Sequence, residues 1–146
     1  MIEIVNDSSV ETYLTQWQTC VEMANSTSQR RDAMNNIFVT VNLALMATVS
    51  FVFDLKSIFI LIAGIVLCIL WIAFIRNFKL LNKAKFEVIQ ELEEHLPASP
   101  FRDEWKKLAM MKKYMEGTKL EKVLPWLFIV LYGIAIIVIV FIEVSN

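Results

Sequence analysis

Three stretches of this chain contain no Asp, Glu, Lys, Arg or His: Ile37 to Phe53, Ile58 to Ile75 and Val123 to Ile142, of 17, 18 and 20 residues. Coiled as α-helices at about 1.5 Å per residue, they reach roughly 26 to 30 Å, the thickness of a bilayer's hydrocarbon core. Hydrophobic residues make up 57% of the 146, more than one small soluble core can hide, while 3 Gly and 3 Pro leave little to interrupt helices. The third stretch is the most regular, with only Tyr132 and Gly133 as mild interruptions of the apolar run from Leu127 to Ile142. The first carries Thr40, Asn42, Thr48 and Ser50 and sits at the lower length limit of a span. Only Asp54, Leu55, Lys56 and Ser57 separate it from the second, a connection that suits two antiparallel helices in one bilayer. The reading is an all-α integral membrane protein: three transmembrane helices, a hairpin plus a C-terminal span, with a cytoplasmic helical stalk and hairpin. Its divisions are 1–36, an amphipathic N-terminal helix; 37–75, the transmembrane hairpin; 76–122, the cytoplasmic helical segment; and 123–146, the last span with a short outer tail.

Orientation follows from the placement of Lys and Arg rather than from the net charge of −1. Arg30 and Arg31 precede the first span, Arg76, Lys79, Lys83 and Lys85 follow the second, and Lys106, Lys107, Lys112, Lys113, Lys119 and Lys122 precede the third. Only Lys56 falls on the other side, so the N-terminus is expected in the cytoplasm and the C-terminus outside. The start, MIEIVNDSSVE, is acidic and has no early apolar core, so no cleaved signal peptide is expected. Cys20 and Cys68 fall in different segments and imply neither a disulfide nor a metal framework.

Outside the spans the pattern stays helical. Ser8 and Glu11 fit a capping box, and Val10, Leu14, Trp17, Val21 and Ala24 recur along one face. The helix is expected to loosen near Asn25 to Ser28 and then run into the first span. Its polar face lacks the Lys and Arg of a surface-lying helix, so the stripe is read as packing on the rest of the cytoplasmic part. After the second span, Leu81, Ala84, Val88, Leu92 and Leu96 mark the inner face of a stalk that Pro97 and Pro100 terminate. A helix over about Arg102 to Glu116, ended by Gly117, is expected to fold back on that stalk and bury Trp105. Thr118 and Glu121 make a second capping box, and Pro125 falls in or just past the first turn of the last span.

Motifs that carry chemistry are missing: there is no GxxxxGK[ST], GxGxxG, CxxC or HExxH. His95 is the one histidine and makes no metal site alone. No catalytic residue, cofactor or metal is expected, and the chain is read as not an enzyme. A carrier is poorly supported, because the spans hold no acid and three of them cannot form the usual inverted repeat. Glu91, Glu93 and Glu94 read as a solvated face, and the lysines from Lys106 to Lys122 as anchoring against an anionic leaflet, with no nucleic acid expected. An Asn42 amide facing lipid would be unsatisfied, and Ala44 and Ala47 permit close helix approach. Two readings stay open: Thr40, Asn42 and Thr48 hold helices together within one subunit, or they form an oligomer seam or pore lining. Arg30 and Arg31 read as an interfacial anchor pairing with Glu87, Glu91 or lipid phosphates. With Trp17, Arg102, Glu104 and Trp105 they form a candidate docking or gating set for a soluble sensor or signalling partner.

The runs YLTQWQTCVEMANSTSQRRDAMNNIFVTVN, LWIAFIRNFKLLNKAKFEVIQELEEHLPASPFRDEW and KLEKVLPWLFIVLYG, covering most of the chain, resemble a family of small bacterial membrane proteins. In plan it is similar to the SLATT-type effectors of nucleotide-signalling and antiphage systems. Arg30, Arg31, Asn36, Trp71, Arg76, Asn82, Lys85, Pro97, Pro100, Glu104 and Trp105 carry the likeness. SLATT plans centre on two spans, and here a third is strong. The resemblance implies a homo-oligomeric effector in the bacterial inner membrane that permeabilises or depolarises it on a cytoplasmic signal. The alternative is a membrane anchor or immunity-like subunit docking a soluble partner through its cytoplasmic helices.

Overall fold

The computed structural model describes residues 7–52, 54–111 and 117–145. Its elements are α1 (Asp7–Phe51), α2 (Ser57–Glu93), α3 (Pro100–Met110), α4 (Gly117–Glu121) and α5 (Val123–Ser145), and no strand occurs among the described residues. Three helices are long and apolar enough to cross a membrane, those containing the three uncharged stretches. The chain forms two compact units: Met1–Arg30 with Phe78–Met115, and Arg31–Asn77 with Glu116–Asn146.

The second unit holds the three apolar stretches, and their buried positions share one rhythm. On α2 the buried side is Ser57, Leu61, Gly64, Cys68, Trp71 and Ile75, at alternating steps of four and three. On α5 it is Pro125, Phe128, Tyr132 and Ile139, and on α1 Phe38, Asn42 and Val49. This is the spacing that keeps a narrow seam of each helix against its neighbours in bundles. Phe38 stacks on Trp71 with ring centroids 5.5 Å apart, and Trp71 meets Phe128 at 6.4 Å. The Trp71 indole N–H donates to Asn35 Oδ1 at 2.8 Å, so the ring's polar edge is satisfied where it leaves the apolar core. Asp54 organises the turn into α2: its carboxylate accepts the backbone N–H of Ser57, the helix's first residue, at 3.1 Å. The first stretch ends at Phe53, which lies outside the described residues.

In the first unit α2 turns into α3 through Pro97 and Pro100, as the prolines require. Ser99 stands at the N-cap of α3 without a side-chain cap bond. Glu93 replaces it, accepting the backbone N–H of Phe101 at 3.0 Å and of Arg102 at 3.1 Å. A carboxylate there satisfies two of the helix's orphan donors and complements its dipole. Glu93 is fully buried, so the acidic trio is not a uniform solvated face: Glu91 and Glu94 are exposed and Glu93 is structural. Arg102 closes the corner, donating to Gln90 O at 3.0 Å and to Glu94 Oε1 at 2.9 Å.

Several sequence expectations shift. The stalk is rotated, because Leu81, Ala84 and Val88 are exposed while Phe78, Asn82, Phe86 and Ile89 turn inward. The cause is aromatic packing: Phe86 meets Phe101 edge-on at 5.6 Å, a contact larger than Ala84 or Val88 could offer. Phe101 thus takes the anchoring place expected of Trp105, which stays at the rim, 6.5 Å from Phe86. Leu14, on the expected inner face of α1, is exposed as well. Helix α1 does not loosen at Asn25 to Ser28, where the Thr27 hydroxyl donates to Met23 O at 2.9 Å inside an unbroken helix. Ser8 falls inside α1, and Gly117 opens α4 instead of ending α3. Helix α3 ends at Met110, and the expected continuation through 112–116 lies outside the described residues. Pro125 takes the third position of α5, where its missing N–H is harmless.

Candidate functional site

Three polar side chains meet at the centre of the spanning unit, one from each long helix. Asn42 on α1 is fully buried. Its Oδ1 accepts the Tyr132 hydroxyl of α5 at 2.8 Å and the Cys68 thiol of α2 at 3.2 Å. Its Nδ2 donates to Phe38 O one turn earlier at 2.7 Å. The hydroxyl also reaches the Asn42 backbone carbonyl, at 3.3 Å. One amide therefore ties all three helices where no water competes. Gly64 makes the approach possible: a Cβ built there would stand 2.6 Å from Tyr132 Cζ, so the phenol ring lies directly on the α2 backbone.

Thr40 and Thr48 are not part of this centre. Both are exposed, and their hydroxyls donate to Asn36 O at 2.8 Å and Ala44 O at 2.9 Å on their own helix. With Ala44 and Ala47 they make a short run of small side chains on an outward side of α1 that also carries the exposed Ile37 and Phe51. The outward faces of the other spans differ, bearing Phe59, Ile62, Val66 and Phe74 on α2 and Leu127, Val130, Ile134 and Phe141 on α5. Bulky aliphatic surfaces suit lipid, whereas small ones let another backbone come close. The sequence-predicted trio thus divides into one residue inside the protomer and two on its surface.

The chain matches the model of the octameric membrane protein family, 8xMP, over residues 14–141. It belongs to that family. No curated protein and no solved structure matches it. This 8xMP chain is therefore a membrane protein, as its three candidate spans require, and it is placed in the octameric family rather than by its likeness to SLATT proteins.

The remaining residues singled out from the 8xMP sequence fall in separate places. Arg31 pairs with Glu121 of α4 at 3.4 Å and with Asp32 at 3.7 Å, not with Glu87 or Glu91. Glu87 is held by Lys83 at 3.7 Å, an exposed helical pair. Arg30 and Glu104 are exposed. Trp17 packs on Phe101 at 5.8 Å, which brings it into the aromatic group that Trp105 borders and Arg102 flanks. The docking set is thus split, Trp17, Arg30, Arg102, Glu104 and Trp105 in the first unit and Arg31 in the second. His95 stacks on Tyr13 with centroids 4.5 Å apart. Among the described residues no group of three His, Cys, Asp or Glu side chains could hold a metal ion.

Sequence reasoning missed Gly64, Cys68 and Glu93. Tyr132 was visible as an interruption, and a phenol amid aliphatics needs an acceptor, for which Asn42 was the one amide in a span. Asn42→Leu should remove the acceptor of two interhelical hydrogen bonds. Such bonds average about 0.6 kcal/mol and reach about 1.7 kcal/mol, so a loss of about 1 to 2 kcal/mol is expected in detergent unfolding titrations. Tyr132→Phe should add little on that background, and additive losses would show that the two residues act separately.

Proposed function

We propose that this 8xMP protein is a homo-oligomeric effector of the bacterial inner membrane, with its N-terminus cytoplasmic, that permeabilises or depolarises the membrane on a cytoplasmic signal in antiphage defence. The observation that carries the reading is the run of small exposed residues Thr40, Ala44, Ala47 and Thr48 on α1, between Ile37 and Phe51 on the same side. Copies that bring these faces together gain close packing without burying a charge, and each threonine keeps acceptor capacity for water. Eight α1 helices at the usual 8 to 10 Å spacing of packed helices would stand on a ring of roughly 10 to 13 Å radius, which leaves a lumen for hydrated ions. The activity is non-enzymatic: subunits move between a closed and an open packing, and a signal acts by favouring one of them.

The test is inducible expression in bacteria with a potential-sensitive dye. Wild type is expected to depolarise the cells, while Ala44→Leu and Ala47→Leu, which thicken the stripe without touching the polar centre, should lose depolarisation and shift the purified protein toward smaller assemblies. Full depolarisation by both variants would overturn the seam. A second reading, an anchor for a soluble partner, has its own support in the first unit. There Val10, Leu14, Trp17, Leu96, Pro97, Ala98 and Pro100 line an apolar groove of about 360 Å³. Harmless expression, with a soluble protein co-purified and lost in Leu14→Glu, would favour that reading.

A further inference from the structure

The start of the last span carries a second constellation, independent of the α1 stripe. Lys119, Lys122, Val123, Trp126, Leu127 and Val130 surround a shallow hollow of about 410 Å³ along α4 and α5. Lys119 and Lys122 border it at the α4 end, and Val123, Trp126, Leu127 and Val130 make the rest of a largely apolar wall. The adjacent carboxylate, Glu121, is engaged by Arg31 at 3.4 Å, and among the described residues no acid pairs with either lysine. The two charges are therefore available to an anion. Trp126, Leu127 and Val130 are each more than half exposed, so the bilayer or another molecule must cover them.

We propose that this face binds one anionic phospholipid, its phosphate held between Lys119 and Lys122 and an acyl chain laid along Val123, Leu127 and Val130. Three features fit that ligand and no smaller one. Paired cations match a phosphodiester, an indole belongs at headgroup level, and the column below the lysines offers only hydrocarbon. A free phosphate would use the lysines and leave the apolar wall uncovered. Arg31, by holding Glu121 away, keeps the local charge positive and so acts on the site without contacting the lipid.

The experiment uses the full-length protein in phosphatidylcholine vesicles doped with a minor fraction of brominated phosphatidylglycerol or brominated phosphatidylcholine. Tryptophan quenching is read as the difference from Trp126→Phe. A lysine near an anionic membrane surface contributes about a fivefold preference, so quenching by the anionic lipid should indicate a preference of roughly 20- to 30-fold. In K119Q/K122Q the preference should fall to near one with the fold retained. Equal quenching by both lipids in wild type would overturn the proposal, as would weak quenching by both, which means that a second copy covers the face. Loss of the preference on adding millimolar inorganic phosphate would overturn it too, since a free anion would then suffice. The readout is fluorescence and needs no conductance, so a failed depolarisation assay leaves this result unaffected.

Discussion

Gly64→Leu is expected to release the third span from the other two, and even Gly64→Ala should cost about 1 to 3 kcal/mol, the usual penalty of overpacking a filled core. Every direction of relief is blocked. An added Cβ meets three Tyr132 ring atoms at 2.6 to 3.0 Å, and that ring is fully buried. The ring cannot swing aside without dropping its hydroxyl's bond to Asn42 Oδ1, and α5 cannot retreat without opening the Phe128 contact to Trp71. Alanine's better helix propensity, about 1 kcal/mol over glycine, offsets part of the cost and leucine's bulk removes that offset. Cys68, fully buried one turn farther along α2, gives the measurement. With Cys20 replaced by serine, maleimide labelling of Cys68 during a denaturing-detergent titration should begin at a lower detergent concentration in Gly64→Leu than in wild type. In a Tyr132→Ala background, itself destabilised, Gly64→Ala should cost little further. Wild-type stability and a wild-type onset of labelling in Gly64→Leu would show that the ring does not depend on that backbone approach.

The second large effect is expected at the α2–α3 corner. Glu93→Ala leaves the Phe101 and Arg102 N–H groups without the carboxylate that accepts both, in a place closed to water. A buried donor left unsatisfied costs about 1 to 3 kcal/mol, so a local loss of about 2 to 4 kcal/mol follows from the pair. Glu93→Gln keeps one acceptor oxygen and points an amide N–H₂ at a helix N-terminus, so it should recover less than half. The loss belongs to the first unit alone. Hydrogen exchange should speed up at the α3 amides and limited proteolysis should cut near Pro97 to Phe101, while protection around Trp71 and Tyr132 is unchanged. Equal acceleration in both regions would mean that the two units unfold together.

How much of this was legible in the sequence depends on contrast. The three spans, the tight turn at Asp54 and the break at Pro97 and Pro100 stood out because charge and proline contrast with their neighbours. The bundle seam did not. Leu61, Cys68, Trp71 and Ile75 face inward while Phe59, Ile62, Ile69 and Phe74 face out, and all of them are apolar. Periodicity needs two kinds of residue, and a spanning helix is apolar all round, so the four-and-three rhythm has nothing to stand against. The stalk was read a third of a turn wrong for a related reason, since Leu81 and Val88 outweighed Phe86 in hydrophobicity while aromatic area decided the packing. Asn42 was expected to face another helix or water, and the sequence left open whether that helix belonged to the same chain. Tyr132 supplies that partner within the chain, while Thr40 and Thr48 stay exposed and bond only to their own helix in the structure.

The tie between Asn42 and Tyr132 also sets a schedule for biosynthesis. The two residues are 90 positions apart in the chain. At roughly 5 to 20 residues per second, a ribosome takes roughly 5 to 20 s to travel from one to the other. During that interval the Asn42 amide of the α1–α2 hairpin has Phe38 O and the Cys68 thiol as its partners and still lacks the Tyr132 hydroxyl. A nascent chain halted before Tyr132 therefore has a paired hairpin whose amide oxygen still has room for a second donor. Only arrival of the last span joins all three helices through that one side chain.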